Sequence, residues 1–542
     1  MKNITTSLLA LLTYMFTNAQ EFGNNDFRIS DMGTDGSISF VSFKPRVAYS
    51  ITEDKYLVVW AADDDRGSVV DNEFEIYGQF IDGDGNEVGA NDFRISFLGT
   101  DGDTAFRAED PDVTYNSIDN EFFVVWKGET SVDGENEIFG QRVDASTGNL
   151  IGSNFRISDM GTEGDTSTGA FLPKVDCSKT NNEYLVVWEG DDVINNKIEI
   201  YGQKISNLGV EIGSNDFKIS NQLPIDDASF DARYPNLVWN EIDNDFLIVW
   251  QGETSTDNET EVYGQLFDLD TNSFIGGNFK ISDMGTDGDT SFTVGQNLSL
   301  AYNSTDNEYL IVWSGSDFTP NVYEIYGQIL LSNGSETGSN DFRISSLTNI
   351  DSSYDAWAPE IVWNQMNNEY FVTYRGDTNT LNEEEIYGQI LSSSGSLKGG
   401  AFLLSDMGPD NDANYDGDYP AIATNHQNGY LITWQGDDSF SPNDGETEIY
   451  IQMYGNSTLG TSNTNPDNVI LFPNPTNKYL HINISRINIS SICIYNLLGQ
   501  KIDSFNFSNQ IIDLGNLKKG IYLFKIWTND KNTQVFKIIK SE

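Results

Sequence analysis

Carboxylates are the commonest candidates for chemistry in this sequence, and they recur at intervals. Acidic turns read DMGTDGS from 31, LGTDGD from 98, DMGTEGD from 159, DMGTDGD from 283 and DMGPDND from 406. They present Asp31, Asp35, Asp101, Asp103, Asp159, Asp165, Asp283, Asp287, Asp289 and Asp406, spaced by small and turn-forming residues. A hard cation such as calcium takes about six to eight oxygens from carboxylates, carbonyls and water, and these turns offer that donor type. They are not EF-hand loops, because Gly stands at the third position and no fixed Glu closes at the twelfth. Two readings stand side by side: multiple structural calcium sites, or Asp and Gly serving as turn formers.

A second set of acids opens the motif EIYGQ and its variants, at Glu75, Glu137, Glu199, Glu261, Glu324, Glu385 and Glu448. Each copy could bring a carboxylate to one rim, yet residues repeated in a repeat protein usually serve the repeat, so these seven are read as structural. A glycosidase needs only two carboxylates. Its pair should break the repeat, however, and neither acidic set does, so the expectation is a protein that is not an enzyme. Other nucleophile and metal chemistry is poorly supplied. The histidines are His426 and His481 alone, and Cys177 fills a slot held elsewhere by Tyr49, Tyr115, Trp239, Tyr302 and Trp363, as a small core residue would. Aromatics do break the pattern: Phe318, Tyr354, Trp357, Tyr415, Tyr419 and Phe440 fall in the loops of the later repeats. Rings beside carboxylates suit carbohydrate, and they equally suit filling gaps between structural units.

The elements that must position these residues are short and periodic. YLVVW at 56 returns as FFVVW, YLVVW, FLIVW, YLIVW, YFVTY and YLITW, ending at Trp60, Trp126, Trp188, Trp250, Trp313, Tyr374 and Trp434. FRIS, FKIS or FLLS recurs from 27, 93, 155, 217, 279, 342 and 402, and PRVAYS, PDVTYN, PKVDCS, PNLVWN, PEIVWN and PAIATN form a further series whose fifth member, NLSLAYN, lacks the proline. Four β-branched or aromatic runs per repeat, bounded by Gly, Asn, Asp and Ser, predict four strands and no helix. Seven such repeats predict an all-β fold, a seven-bladed β-propeller over 20–456, which manages sheet edges by radial repetition. The chain opens on an unpaired FRIS and ends its last repeat without one, so the N-terminal strand is expected to close the last blade. EIYGQ is then the third strand of every blade. The ligand face of a propeller is where its strand-connecting loops gather, and here those loops are acidic.

The net charge of −53 disfavours nucleic acid and anionic lipid as partners. Residues 1–19 read as a signal peptide, with Lys2, an apolar run from Leu8 to Phe16 and small residues before Gln20. No later stretch reaches the roughly 18 apolar residues of a transmembrane helix. Cys177 and Cys493 fall in different modules, which argues against a disulfide framework.

After a polar linker over 457–468 the composition changes. Residues 469–542 hold nine Lys and Arg against four Asp and Glu, a net +5, leaving −58 for the rest. FPNPTNKYLHI at 472–482, IYNLLGQKI at 494–502, LKKGIYLFKI at 517–526 and VFKIIK at 535–540 resemble the type A C-terminal sorting domain of type IX secretion substrates in Bacteroidetes. That resemblance implies a small β-sandwich recognised by the outer-membrane secretion machinery, with the passenger released or surface-anchored after cleavage of the signal peptide and this domain. The propeller repeats loosely resemble those of large bacterial surface proteins. The expected function is a secreted or cell-surface binding or adhesion propeller that contacts polysaccharide or another surface protein, the alternative being a carbohydrate-active hydrolase or lyase on the propeller face.

Overall fold

The computed structural model describes residues 20–455 and 469–540, apart from 34–36, 65–68, 192–196, 222–229, 257, 317–321, 348–353, 379–382, 410–411, 413, 427–428, 438–444, 473–477, 485–488, 497–499, 507–510 and 529–532. The expected signal peptide lies outside the described residues. The chain divides into two units, Met1–Asn456 and Ser457–Glu542. Among the described residues no helix is long and apolar enough to cross a membrane.

The first unit is seven four-stranded antiparallel sheets. Their innermost strands are Ser42–Ser50, Ala108–Asn116, Gly169–Ser178, Ala232–Asn240, Ser299–Asn303, Ala356–Asn364 and Gly417–Thr424. Each packs on the next, and the seventh packs on the first, so the sheets form a closed ring. The seventh sheet is completed by Gln20–Arg28, which pairs with Glu448–Gly455 as the chain's unpaired first FRIS strand requires.

The packing explains the repeated residues. The second strand of each sheet is covered on both faces, so it is an unbroken apolar run rather than an alternating one. Its terminal Trp60, Trp126, Trp188, Trp250, Trp313 and Trp434, with Tyr374 in the sixth sheet, are wholly buried. Seven apolar clusters each join two consecutive sheets, and the last unites Leu431, Ile449 and Ile451 with Tyr56, Val58 and Trp60. In EIYGQ the Gly admits a neighbour: a Cβ on Gly264 would lie 2.9 Å from Ile281 Cδ1, and one on Gly78 would lie 2.9 Å from Ile95 Cδ1. The Gln stitches a bulge in the outer strand, where Gln79 Oε1 accepts the Asp92 N–H at 3.1 Å and its amide donates to the Val88 carbonyl at 3.3 Å.

The second unit is a small β-sandwich. One sheet holds Val469–Phe472, Tyr479–Ile484 and Ile511–Asp513; the other holds Lys501–Asn506, Ile489–Asn496, Gly520–Thr528 and Thr533–Lys540 in that order. Leu480, Ile492, Ile512, Phe524 and Ile526 are buried in it.

Candidate functional site

The carboxylates singled out from the sequence are mostly engaged by the protein itself. The seven EIYGQ glutamates are buried, at most 4% exposed. Each accepts the hydroxyl of the Ser that ends the neighbouring outer-strand motif, as Glu137 does from Ser158 and Glu261 from Ser282. Glu137 and Glu261 also accept the backbone N–H of Met160 and Met284, each at 2.8 Å. Burial pushes Glu137, Glu261 and Glu448 up to about 7 and Glu385 up to about 8, and it raises Glu75 against the opposing pull of Arg94.

The turn aspartates are exposed or half-exposed. Asp101 pairs with Arg94 at 2.9 Å, Asp159 with Arg156 at 2.8 Å, Asp283 with Lys280 at 2.6 Å and Asp31 with Arg28 at 3.6 Å. Asp287 lies 3.9 Å from Lys280. Asp103, Asp165 and Asp289 each accept the N–H two residues on, at 3.0 to 3.1 Å, and Asp406 is exposed. Asp35 lies outside the described residues. Among the described residues no group of three or more His, Cys, Asp or Glu is arranged to hold a metal ion.

The aromatic candidates separate. Phe318 and Phe440 lie outside the described residues. Tyr354 is buried between the fifth and sixth sheets, and half-buried Tyr415 packs on the core of the seventh. Trp357 and Tyr419 line cavities at the centre of the ring.

That centre is where the repeat breaks. In six of the seven sheets the innermost strand slips register against its neighbour, between Phe43 and Arg46 in the first and at the equivalent residues in the others. The slip falls on the proline of the PRVAYS series. The residue before that proline is left-handed in every case: Lys44 at φ 53°, Asp110 at 55°, Leu172 at 49°, Tyr234 at 52°, Ala358 at 49° and Tyr419 at 48°, with Asn297 at 60° in the proline-free fifth sheet. Such a conformation costs about 1 to 3 kcal/mol for a side chain other than glycine and concentrates at functional sites. The pre-proline residue and the proline leave the ladder, and the residue after the proline rejoins it, as Arg46 does opposite Val59 and Glu360 opposite Thr373. The position before the proline reads Lys44, Asp110, Leu172, Tyr234, Asn297, Ala358 and Tyr419, and the position after it Arg46, Asp112, Lys174, Asn236, Ser299, Glu360 and Ala421.

Nine of these fourteen residues line an axial cavity of about 270 Å³. Lys44, Arg46, Asp110, Lys174 and Glu360 face it, with Tyr234 and Tyr419 beside them. Lys44 pairs with Asp110 and sits over the Tyr419 ring, 5.8 Å from its centre. Arg46 Nη1 lies 3.7 Å from Glu360 Oε1 and its Nε 3.9 Å from Asp112 Oδ1. Ser299 donates its hydroxyl to Glu360 at 2.9 Å, and the Val175 N–H donates to Asp112 at 2.9 Å. Burial raises the Asp112 carboxyl although Lys174 and Arg46 pull it down, and burial with the nearby Arg46 charge lowers Lys174. A second cavity of about 440 Å³ adjoins the first through Gln296, Asn297 and Tyr419, and carries Tyr323 and Trp357 with ring centres 4.0 Å apart. The signal for this site stood in the sequence as the changing residue after a constant proline, R, D, K, N, E, A.

The first unit is a propeller with an axial cavity. Residues 470–541 match the family described as the secretion system C-terminal sorting domain. The module carrying them is a type IX sorting domain, and the protein is exported by that system to the cell surface or the surrounding medium. No curated protein matches the sequence. Among solved structures, the chain is similar to an α-L-arabinanase of Penicillium chrysogenum complexed with arabinobiose, at 11% identity and TM-score 0.39, covering 64% of this chain and 93% of that one. It is similar to an α-L-arabinofuranosidase of Fusarium graminearum, at 9% identity and TM-score 0.37, covering 64% and 92%. It is also similar to the Dos1 propeller, at 11% identity and TM-score 0.38, covering 81% and 95%. These are likenesses of strand arrangement. Two of the three bear enzyme names, against the expectation that this chain is not an enzyme, which is withdrawn; likeness at this level shows strand arrangement and assigns no activity. The reason given for that expectation, that no carboxylate breaks the repeat, is removed by Asp110, Asp112 and Glu360.

Proposed function

We propose that the propeller is a carbohydrate-active enzyme, a hydrolase or lyase, exported by its sorting domain to meet polysaccharide outside the cell. The observation that carries this reading is the convergence of unrepeated charge on the axis. Asp110 and Glu360, from the second and sixth sheets, both face the cavity, and glycosidic bond cleavage by two carboxylates needs one as acid and the other as base or nucleophile. Glu360 accepts the Ser299 hydroxyl at 2.9 Å, which aims it, and lies 3.7 Å from Arg46 Nη1. Tyr234, Tyr419, Tyr323 and Trp357 supply ring faces for sugars along the joined cavities. The test is release of new sugar ends from a panel of extracellular polysaccharides by residues 20–456. Product formation that disappears in Glu360→Gln and Asp110→Asn, and persists in Asp283→Asn on the outer turns, supports the reading. Retention of glycan with no product from any member of the panel overturns it.

A further inference from the structure

The axial cavity has an unusual charge for its surroundings. The unit around it carries 57 more acidic than basic residues, yet Lys44, Arg46 and Lys174 line this one cavity, with Asp110 and Glu360 also in its lining and Asp112 near Arg46 and Lys174. Lys44 is committed to Asp110. The other two cations are not closed off. Lys174 Nζ stands 3.7 Å from Asp112, and Arg46 Nε and Nη1 stand 3.9 and 3.7 Å from Asp112 and Glu360, all longer than a charge-assisted hydrogen bond. Arg46 Nη1 donates to the Pro45 carbonyl at 3.0 Å, while its Nε–H donates to no acceptor. A cation held near carboxylates but not bonded to them keeps donors for an acceptor that enters the cavity, and an anionic oxygen pair satisfies a guanidinium fork best.

Resting on the carbohydrate reading above, we infer that the sugar unit occupying the axial cavity carries a negative substituent, a carboxylate or a sulfate ester, held by Arg46 and Lys174 while Tyr234 and Tyr419 flank its ring. A neutral sugar offers these two cations only hydroxyl and ring oxygens, whose hydrogen bonds are weaker than those of an anionic oxygen. The acidic surface repels polyanions at long range, so selection must come from contact inside the cavity rather than from steering.

The test uses matched pairs of glycans with the full propeller: homogalacturonan and its fully methyl-esterified form, a carrageenan and its desulfated form, and neutral arabinan, galactan and xylan, followed by retention and by product release. Melting curves establish that Lys174→Gln and Arg46→Gln are folded. The inference expects one anionic member to be retained or cleaved, with about tenfold or greater loss on esterification or desulfation and a similar loss in Lys174→Gln. Which pair responds separates carboxylate from sulfate. The chemical pairs keep the question decidable should either variant fail to fold. Equal action on a charged glycan and its neutral partner, or on neutral glycans alone, overturns the inference and leaves the carbohydrate reading in place. No retention or product from any glycan overturns both.

Discussion

Glu448, on the last strand of the propeller, accepts the hydroxyl of Ser30, the residue two positions beyond the first strand. The same carboxylate takes the Met32 N–H at 3.0 Å and the Ser42 hydroxyl at 2.9 Å. The clasp that each other sheet makes between nearby residues is made here between the two ends of the ring. Glu448→Ala strands these buried donors, and an unsatisfied buried donor costs about 1 to 3 kcal/mol. The expected result is a loss of about 3 kcal/mol in stability together with protease cleavage near residues 20–32. Glu261→Ala, within one sheet, is expected to destabilise without exposing that segment. Protection of 20–32 in Glu448→Ala would show that pairing of Gln20–Arg28 alone closes the ring.

The buried glutamates make stability depend on pH in an uncommon direction. Glu137, Glu261 and Glu448 titrate near about 7 and Glu385 near about 8 in the folded protein, all raised by burial from an ordinary value of 4.5. The folded state therefore holds protons that the unfolded chain has released, and stability falls as pH rises where the native state binds more protons. This contribution is complete below 4.5 and is lost as pH climbs through 7 to 8. Relief of self-repulsion in so acidic a chain acts the same way. Melting temperature is expected to decline between about pH 5 and about pH 8, with a shallower slope in Glu385→Gln. A flat or rising curve over that window contradicts the burial account.

Two glycines separate close approach from mere repetition. Gly264→Ala would bring a Cβ to 2.9 Å from Ile281 and 3.0 Å from Phe279, so destabilisation of about 1 to 3 kcal/mol is expected. Gly277 has open space around it and no left-handed backbone, so Gly277→Ala is expected to be neutral or stabilising by up to about 1 kcal/mol. Chemical denaturation of the two variants measures both, and equal effects would contradict the packing described for EIYGQ.

The sorting domain and the propeller are separate units. Removal of 457–542 is expected to abolish export while leaving the melting transition of the propeller unchanged. Cell fractionation and calorimetry test the two halves of that statement, and export without the domain would contradict the role given to 470–541.

What could be read from the sequence is what periodic packing imposes. Trp60 and its counterparts, the Gly and Gln of EIYGQ and the closing FRIS strand recur because every sheet meets the same neighbour. The sorting domain was legible because four of its segments carry specific residues. The axial site was not, because Arg46, Asp112, Lys174 and Glu360 stand just past the slip, back in the ladder opposite Val59, Val125, Val187 and Thr373 but at the axis, where all seven sheets meet. No repeated neighbour constrains them there, and they meet across more than 300 residues of chain. The glutamates misled in the opposite way. Position at a strand end suggested a rim, but the Ser that follows the adjacent outer strand draws each side chain into the fold. Among the aromatics, Tyr354 broke the repeat to fill the junction of two sheets, whereas Trp357 and Tyr419 broke it at the slip, and sequence alone does not distinguish these causes.

The placement of function on the axis is tested most directly by a crystal structure of residues 20–456 with an oligosaccharide from whichever glycan is retained. The sugar is predicted in the axial cavity, between Tyr234 and Tyr419 and in hydrogen-bond contact with Glu360 and Asp110. Density for it on the acidic turns around Asp283 to Asp289, with the axis bare, would contradict the account.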